Sequence, residues 1–381
     1  MGKNKYIIAA AGSGKTTHIV NEALRCVGNV LILTYTTSNR DEIYEKIITT
    51  KGNIPSNITI MTWFSFLITH GVKPYQGELH PVFQDFKING LLLCKTGTEG
   101  KRPIYQAANK KRWVAFSEEK DPILHYCTKD GRLYSDRVAK FVVKTDKATK
   151  GKVRHRISAI FQHIFIDEAQ DLTGYDLDIL SMFFKTNSTI TLVGDPRQYV
   201  FSTHIDTRKN KKYRNGNIRG YIEDKCQNYC SIDESSLQKS HRNSSEICSF
   251  SSLLFTDEYP QTSPCLCSEC ESLRNPSSIK CIHRSEAISI LENTAKVVQL
   301  TYDKRTNIIP NKRTMNFGIS KGRTFNSVII YPTKDMKEWL RDSTQELKPT
   351  TRSKLYVAIT RARQNVYFVF EDNETLPDLV I

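Results

Sequence analysis

At 381 residues the chain exceeds one ordinary domain and is long enough to bury a separate core in each of two or three units. Lys and Arg outnumber Asp and Glu by 55 to 40, a net charge of +15, which favours an anionic polymer as partner over an acidic protein surface. No stretch approaches the roughly 20 uninterrupted apolar residues of a membrane span, and no cleavable signal pattern opens the chain, so a cytosolic location is expected.

In chain order, Tyr6 to Ala10 reads as a strand, followed by a Gly-Ser-Gly turn and a helix from Lys15. Val30 to Thr34 reads as the next strand, with a helix starting near Ser38-Asn39-Arg40. The apolar runs Ile58 to Met61, His163 to Ile166 and Ile190 to Val193 have the length and polar flanks of further strands in the same parallel sheet. Between Gly71 and Arg156 the pattern gives way to Lys101-Arg102, Lys110-Lys111-Arg112-Trp113 and Lys150 to Arg154, which reads as a basic inserted subdomain. A second α/β unit starts near Leu237, is interrupted by a polar, Cys-containing stretch, and resumes with the strands Ser327 to Tyr331 and Val366 to Phe370. The expected fold class is therefore α/β with two domains. Residues 1–72 and 157–236 form the first, with 73–156 inserted; residues 237–255 and 279–381 form the second, with 256–278 inserted.

Between the first strand and helix lies Ala9-Ala10-Ala11-Gly12-Ser13-Gly14-Lys15-Thr16. Backbone N–H groups at such a junction surround phosphates, and the helix N-terminus adds positive potential. Lys15 is expected on the β- and γ-phosphates and Thr16 on Mg²⁺, with Gly12, Ser13, Gly14 and Thr17 completing the nucleotide cradle. Asp167-Glu168-Ala169-Gln170-Asp171 ends an apolar strand: Asp167 would hold the metal, Glu168 would orient and deprotonate water, and Gln170 would sense the γ-phosphate. A chance Gly/Ser turn and a charged helix start are the plainer readings of these two segments.

With that Asp-Glu-Ala-Gln-Asp run, the chain resembles the UvrD/Rep group of superfamily 1 helicases, and the resemblance continues in order. Thr34 to Asn39 looks like the family's Thr-Phe-Thr-Asn, Thr62 to Ser65 like its Thr-Phe-His-Ser, and Gly194 to Gln198 like its Gly-Asp-x-x-Gln. Ser240-His241-Arg242-Asn243, Ser320 to Phe325 including Gly322, and Tyr356 to Arg363 are similar to its later motifs. The resemblance implies two RecA-like domains, ATP and Mg²⁺ as cofactors, Gln198 on the γ-phosphate, and Arg242 and Arg361 as arginine fingers. It also implies that Tyr35, Thr36, Trp63, Phe64 and Phe201 line a path for single-stranded DNA. The four aromatics could equally be core residues, and either arginine an ordinary surface partner.

Departures from the family pattern are equally legible. No Gln precedes Ala9 to match the family's adenine-reading glutamine, His241 stands at the usual tyrosine, Thr324 at the usual glutamate, and the large second-domain insertion has no counterpart. What the resemblance implies is a compact 3′-to-5′ translocase or helicase on single-stranded DNA. By analogy with bacterial defence systems such as Gabija, a nuclease partner and an antiviral role are expected. The alternative is a nucleotide-sensing, DNA-binding regulatory subunit whose ATPase is weak or depends on assembly.

Arg208 to Arg214 would extend a nucleic-acid track, although a block of like charge more simply reads as a solvated, mobile loop. Ten cysteines suit reduced thiols or metal ligands better than a disulfide framework. Cys265, Cys267, Cys270 and Cys281, with His283 nearby, supply enough soft ligands for a structural Zn²⁺, while unpaired reduced thiols remain the simpler reading.

Overall fold

The computed structural model describes residues 4–105, 111–200, 208–274, 276–294 and 297–379. They divide into two compact units, one drawn from Met1–Tyr6, Thr16–Val193 and Ser202–Ile232, the other from Ile7–Lys15, Gly194–Phe201 and Asp233–Ile381. The phosphate loop and the Gly194 to Gln198 turn thus group with the second unit rather than with the first domain. Their backbone bonds explain the grouping: Ala9 N–H donates to Gly194 O at 2.8 Å, Ala10 N–H to Leu237 O at 2.7 Å, and His241 N–H to Gly12 O at 2.8 Å.

A six-stranded sheet runs in the order Cys230–Asp233, Asn4–Ile8, Thr189–Gly194, His163–Ile166, Val30–Thr34, Ile58–Thr62. Val30–Thr34 pairs in parallel with Ile58–Thr62 and with His163–Ile166, which in turn pairs in parallel with Thr189–Gly194. Every residue of Val30–Thr34 is buried, as expected for an apolar, partly β-branched strand covered on both faces. The next helix, Thr37–Lys51, starts where the Thr36 side chain accepts from Asn39 N–H and ends at Gly52, whose φ of 85° lets its N–H reach Ile48 O. Tyr35, Trp63 and Asp167 each follow the C-terminal end of a parallel strand, where ligands of open α/β sheets collect.

The basic insertion has its own small core, with Phe83 to Phe141 ring centroids 5.2 Å apart and Tyr126 to Phe141 centroids 5.0 Å apart. It also carries an antiparallel strand pair, Lys101–Tyr105 with Lys111–Ala115. In the second unit a five-stranded sheet runs Ser278–His283, Ala362–Phe370, Phe325–Tyr331, Val297–Thr301, Thr314–Asn316, with all pairings parallel. Val298, Leu300, Val328, Ile330, Val366 and Phe368 form its core with Phe250, Trp339 and Tyr356. The mixed α/β class with parallel sheets is as expected. Among the described residues no helix is long and apolar enough to cross a membrane.

Candidate active site

The buried strand His163–Ile166 delivers Asp167, itself only 4% exposed. Thr16 Oγ1 donates to Asp167 Oδ2 at 3.3 Å, and the Glu168 backbone N–H donates to Asp167 Oδ1 at 2.9 Å. Glu168 adopts φ 52° and ψ 40°, a left-handed conformation that costs a non-glycine residue about 1–3 kcal/mol and marks functional turns. Its carboxylate accepts from the amide of the fully buried Gln170. A carboxylate oxygen and a hydroxyl oxygen thereby meet at one point, a donor set suited to a hard divalent cation such as Mg²⁺. Thr17, next in the helix Lys15–Arg25, faces solvent and accepts from Lys46 Nζ at 3.2 Å.

In the second unit, Gly12 and Gly14 take φ of 73° and 81°, conformations that favour glycine. A methyl group on Gly12 would stand 2.6 Å from Ser240 Oγ and 2.7 Å from Arg242 Cβ, so only glycine lets the loop approach the Ser240 to Asn243 turn this closely. Ser13 Oγ is buried without a hydrogen-bond partner among the described residues, a polar atom suited to a phosphate oxygen. Lys15 follows as the first residue of its helix.

Gln198, Arg242 and Arg361 meet around Thr360. Arg242 Nη1 donates to Thr360 O at 3.2 Å, and Arg361 Nη2 donates to Thr360 Oγ1 at 3.2 Å and to Gln198 Oε1 at 3.0 Å. Arg361 is 1% exposed, with Nε on Val357 O at 3.0 Å and Nη1 on Arg323 O at 3.3 Å. Gly322, one residue earlier, is exposed at φ 82°. Beneath Gln198 lies a buried network that the linear motif does not announce. Arg197 Nε donates to Asp195 Oδ1 at 2.7 Å and Nη2 to Ala9 O at 3.1 Å, and its guanidinium stands 5.4 Å from the centre of the Tyr356 ring. Gln198 Nε2 and Tyr356 Oη both donate to Asp195 Oδ2, at 2.8 and 3.3 Å. Asp195 is the main partner offsetting the burial of Arg197 and holds the guanidinium protonated.

Residues 95–212 match the model of the UvrD/REP helicase N-terminal domain. Over this span the chain is UvrD-like. The match covers Asp167, Glu168, Gln170 and Gln198 and lies between the phosphate loop and the two arginine motifs. A stretch of 111 residues, 28% of the chain, is 29% identical to the ATP-dependent DNA helicase SRS2 of Saccharomyces cerevisiae (strain ATCC 204508 / S288c), and spans 8% of that relative's length. Among solved structures, the Arterivirus nonstructural protein 10 (helicase) overlaps 97% of this chain and 60% of its own, at 14% identity and a TM-score of 0.46. Its complex with DNA overlaps 97% and 62%, at 15% identity and a TM-score of 0.45.

In the first unit, the residues expected on a nucleic-acid path separate into two groups. Trp63 and Phe64 are core residues: the Trp63 indole N–H donates to Asp176 Oδ1 at 2.8 Å inside the fold. Tyr35 is half-buried, its ring 5.7 Å from that of Phe64, and Thr36 is exposed with its hydroxyl capping a helix. Phe201 lies outside the described residues. The Lys101–Tyr105 and Lys111–Ala115 pair presents what the motif pattern does not name, Trp113 at 41% exposure with Lys111 Nζ 4.7 Å from its ring centre. In the basic segment Arg208, Lys209, Lys211 and Lys212 are exposed, as a solvated stretch requires, while a few contacts tie it down. Tyr213 is buried and donates to Asp224 at 2.9 Å, Lys212 pairs with Asp224 at 2.6 Å, and Lys209 pairs with Asp178 at 3.1 Å.

The cysteine set differs from the expected one. Cys281 lies on the strand Ser278–His283 and packs against the second unit's core, where burial raises its thiol pKa to about 12. Strand geometry therefore commits it to the sheet, and the ligand group that forms instead is His241 with Cys265 and Cys270. His283 is also elsewhere, its Nδ1 3.3 Å from Glu371 O.

Proposed function

We propose that the chain is an ATP-hydrolysing motor that moves along single-stranded DNA in the 3′-to-5′ direction. The observation that carries this reading is the junction of Thr16 Oγ1 and Asp167 Oδ2 at 3.3 Å beside a strained Glu168, with both carboxylates inside the UvrD/REP match. Ser13, Gly12 and Gly14 fit a triphosphate, since a buried hydroxyl lacks a partner there and both glycines turn their backbone through positive φ. Thr16 and Asp167 would hold Mg²⁺, which when bound neutralises charge on the phosphate oxygens. Glu168 then orients a water and accepts its proton, with Gln170 fixing the carboxylate. Lys15 meets the phosphate charge, and Gln198, Arg242 and Arg361 supply an amide and two guanidinium groups for the terminal phosphoryl group. Loss of that group alters what the arginines contact, which couples them to the nucleotide state.

The net charge of +15 and the exposed Trp113 beside Lys111 and Arg112 support a nucleic-acid track, because aromatic faces stack on bases while cations meet phosphates. By family analogy the motor acts beside a nuclease partner, in antiviral defence or DNA processing. One observation favours a second reading, a regulatory subunit whose hydrolysis awaits assembly. Arg361 is buried and already engaged with Gln198, so a rearrangement would have to free it.

The test is ATP turnover with and without single-stranded DNA for the native chain and for Lys15→Ala, Glu168→Gln and Arg361→Ala. Strand-stimulated turnover removed by each substitution is expected. Equal, low turnover in all samples would reject the motor reading in favour of the regulatory one. Release of streptavidin from oligonucleotides biotinylated at either end checks direction, with faster release expected from the 5′ end.

A further inference from the structure

Two segments of the second unit bring soft ligands to one point. His241 Nδ1 lies 3.5 Å from Cys270 Sγ, and Cys265 Sγ lies 3.5 Å from Cys267 Sγ. The ligand atoms of His241, Cys265 and Cys270 all fall within 4.8 Å of one another. Cys267 joins them through Cys265, its sulfur 3.5 Å from that of Cys265. A tetrahedral zinc centre, with Zn–S near 2.3 Å and Zn–N near 2.0–2.1 Å, has ligand-to-ligand edges of about 3.5–3.8 Å. Two of the observed separations already have that length. The arrangement of three sulfurs and one imidazole is one of the closed sets used by structural zinc.

The backbone around these ligands is fixed from outside the cluster. Arg274, 3% exposed, donates from Nε to Cys270 O at 2.9 Å, from Nη1 to Asn243 O at 2.9 Å and to Ser240 O at 3.3 Å, and from Nη2 to Cys265 O. Cys265 N–H adds a bond to Ser240 O at 2.8 Å. The stretch itself has little to bury: Leu266 and Leu273 are exposed, and its helix Ser268–Arg274 buries only Cys270 and Arg274. A segment so poor in apolar burial is where a metal contributes folding energy outright.

We propose that His241 Nδ1 and the sulfurs of Cys265, Cys267 and Cys270 bind one Zn²⁺, stapling residues 263–274 to the turn that carries Arg242. His241 is thereby a metal ligand, a role separate from any stacking on a base. The Arg274 bonds to the ligand backbones supply the outer contacts that orient such a centre. The site stands independently of the ATPase reading.

Untagged full-length protein purified without chelator from zinc-supplemented medium is expected to hold about one zinc per chain by mass spectrometry of its metals. His241→Ala and Cys270→Ser lower that to under about one tenth, His241→Cys restores it as a four-thiolate site, and Cys281→Ser leaves it unchanged. Because Cys267 is exposed, Cys267→Ser keeps the fold, and after cobalt exchange its thiolate-to-metal absorption falls by about a third. Native protein with under about one tenth of a zinc per chain would overturn the proposal. So would retention of zinc by His241→Ala together with its loss from Cys281→Ser.

Discussion

Asp167 and Asp195 follow strands that pair in parallel with one another, and a short helical turn comes soon after each, yet their surroundings differ in kind. Asp195 is fully buried and meets a buried guanidinium, an amide and a phenol through Arg197, Gln198 and Tyr356. Asp167 meets the Thr16 hydroxyl and the Glu168 N–H, and the next residue is held in a left-handed conformation. A carboxylate neutralised in place by a permanent cation is a structural joint. A carboxylate set against a hydroxyl offers a cation two oxygen donors, and here the backbone beside it is strained.

Substitutions on each side test that contrast. The largest effect is expected from Arg242→Ala, which on the motor reading lowers strand-stimulated turnover by about 10³-fold or more, measured at saturating ATP. Arg197→Ala acts on stability instead. Leaving Asp195 buried without its cation costs about 3–5 kcal/mol, read as a lower denaturant midpoint, whereas Asp167→Asn lowers turnover with little change in that midpoint. If Asp167→Asn unfolds the chain and Arg197→Ala does not, the contrast is reversed. Trp113→Ala should weaken single-stranded DNA binding by about 1–3 kcal/mol, roughly 5- to 150-fold, in a fluorescence anisotropy titration.

The smallest effect concerns pH. His125 is pushed down to about 4, first by burial and then by Arg137 and Lys140, while its ring Nδ1 pairs with Phe116 O at 2.7 Å. The unfolded chain takes up that proton near its ordinary value of 6.5, before the folded chain does. Stability therefore falls as pH drops from about 6.5 to about 4 and loses this dependence below that window. His125→Gln should flatten the slope within the window in urea titrations at stepped pH.

Much of this architecture is legible along the chain because continuous apolar runs such as Val30–Thr34 become buried strands. Other strands hide. Val297–Thr301 is interrupted by Gln299, a polar residue that is fully buried because its amide donates to Ile309 O at 2.9 Å and its carbonyl accepts from Tyr331. Thr314–Asn316 is too short to show a period. Lys15, Thr16, Asp167 and Glu168 are readable as candidates because each phosphate or carboxylate motif is local. Arg197 is not, since its partners Ala9 and Tyr356 are distant in sequence, and the same separation conceals His241 from the cysteines it joins. Trp63 shows the converse: its motif suggests a strand-facing ring, and a single buried hydrogen bond to Asp176 turns it into the core.

Steady-state ATP hydrolysis by the native chain and by Glu168→Gln, each with and without single-stranded DNA, tests the central claim most directly. The account predicts strand-stimulated turnover in the native chain and a loss of about 10²- to 10⁴-fold in the variant, at an unchanged denaturant midpoint. Native turnover that ignores the strand and survives Glu168→Gln would contradict it.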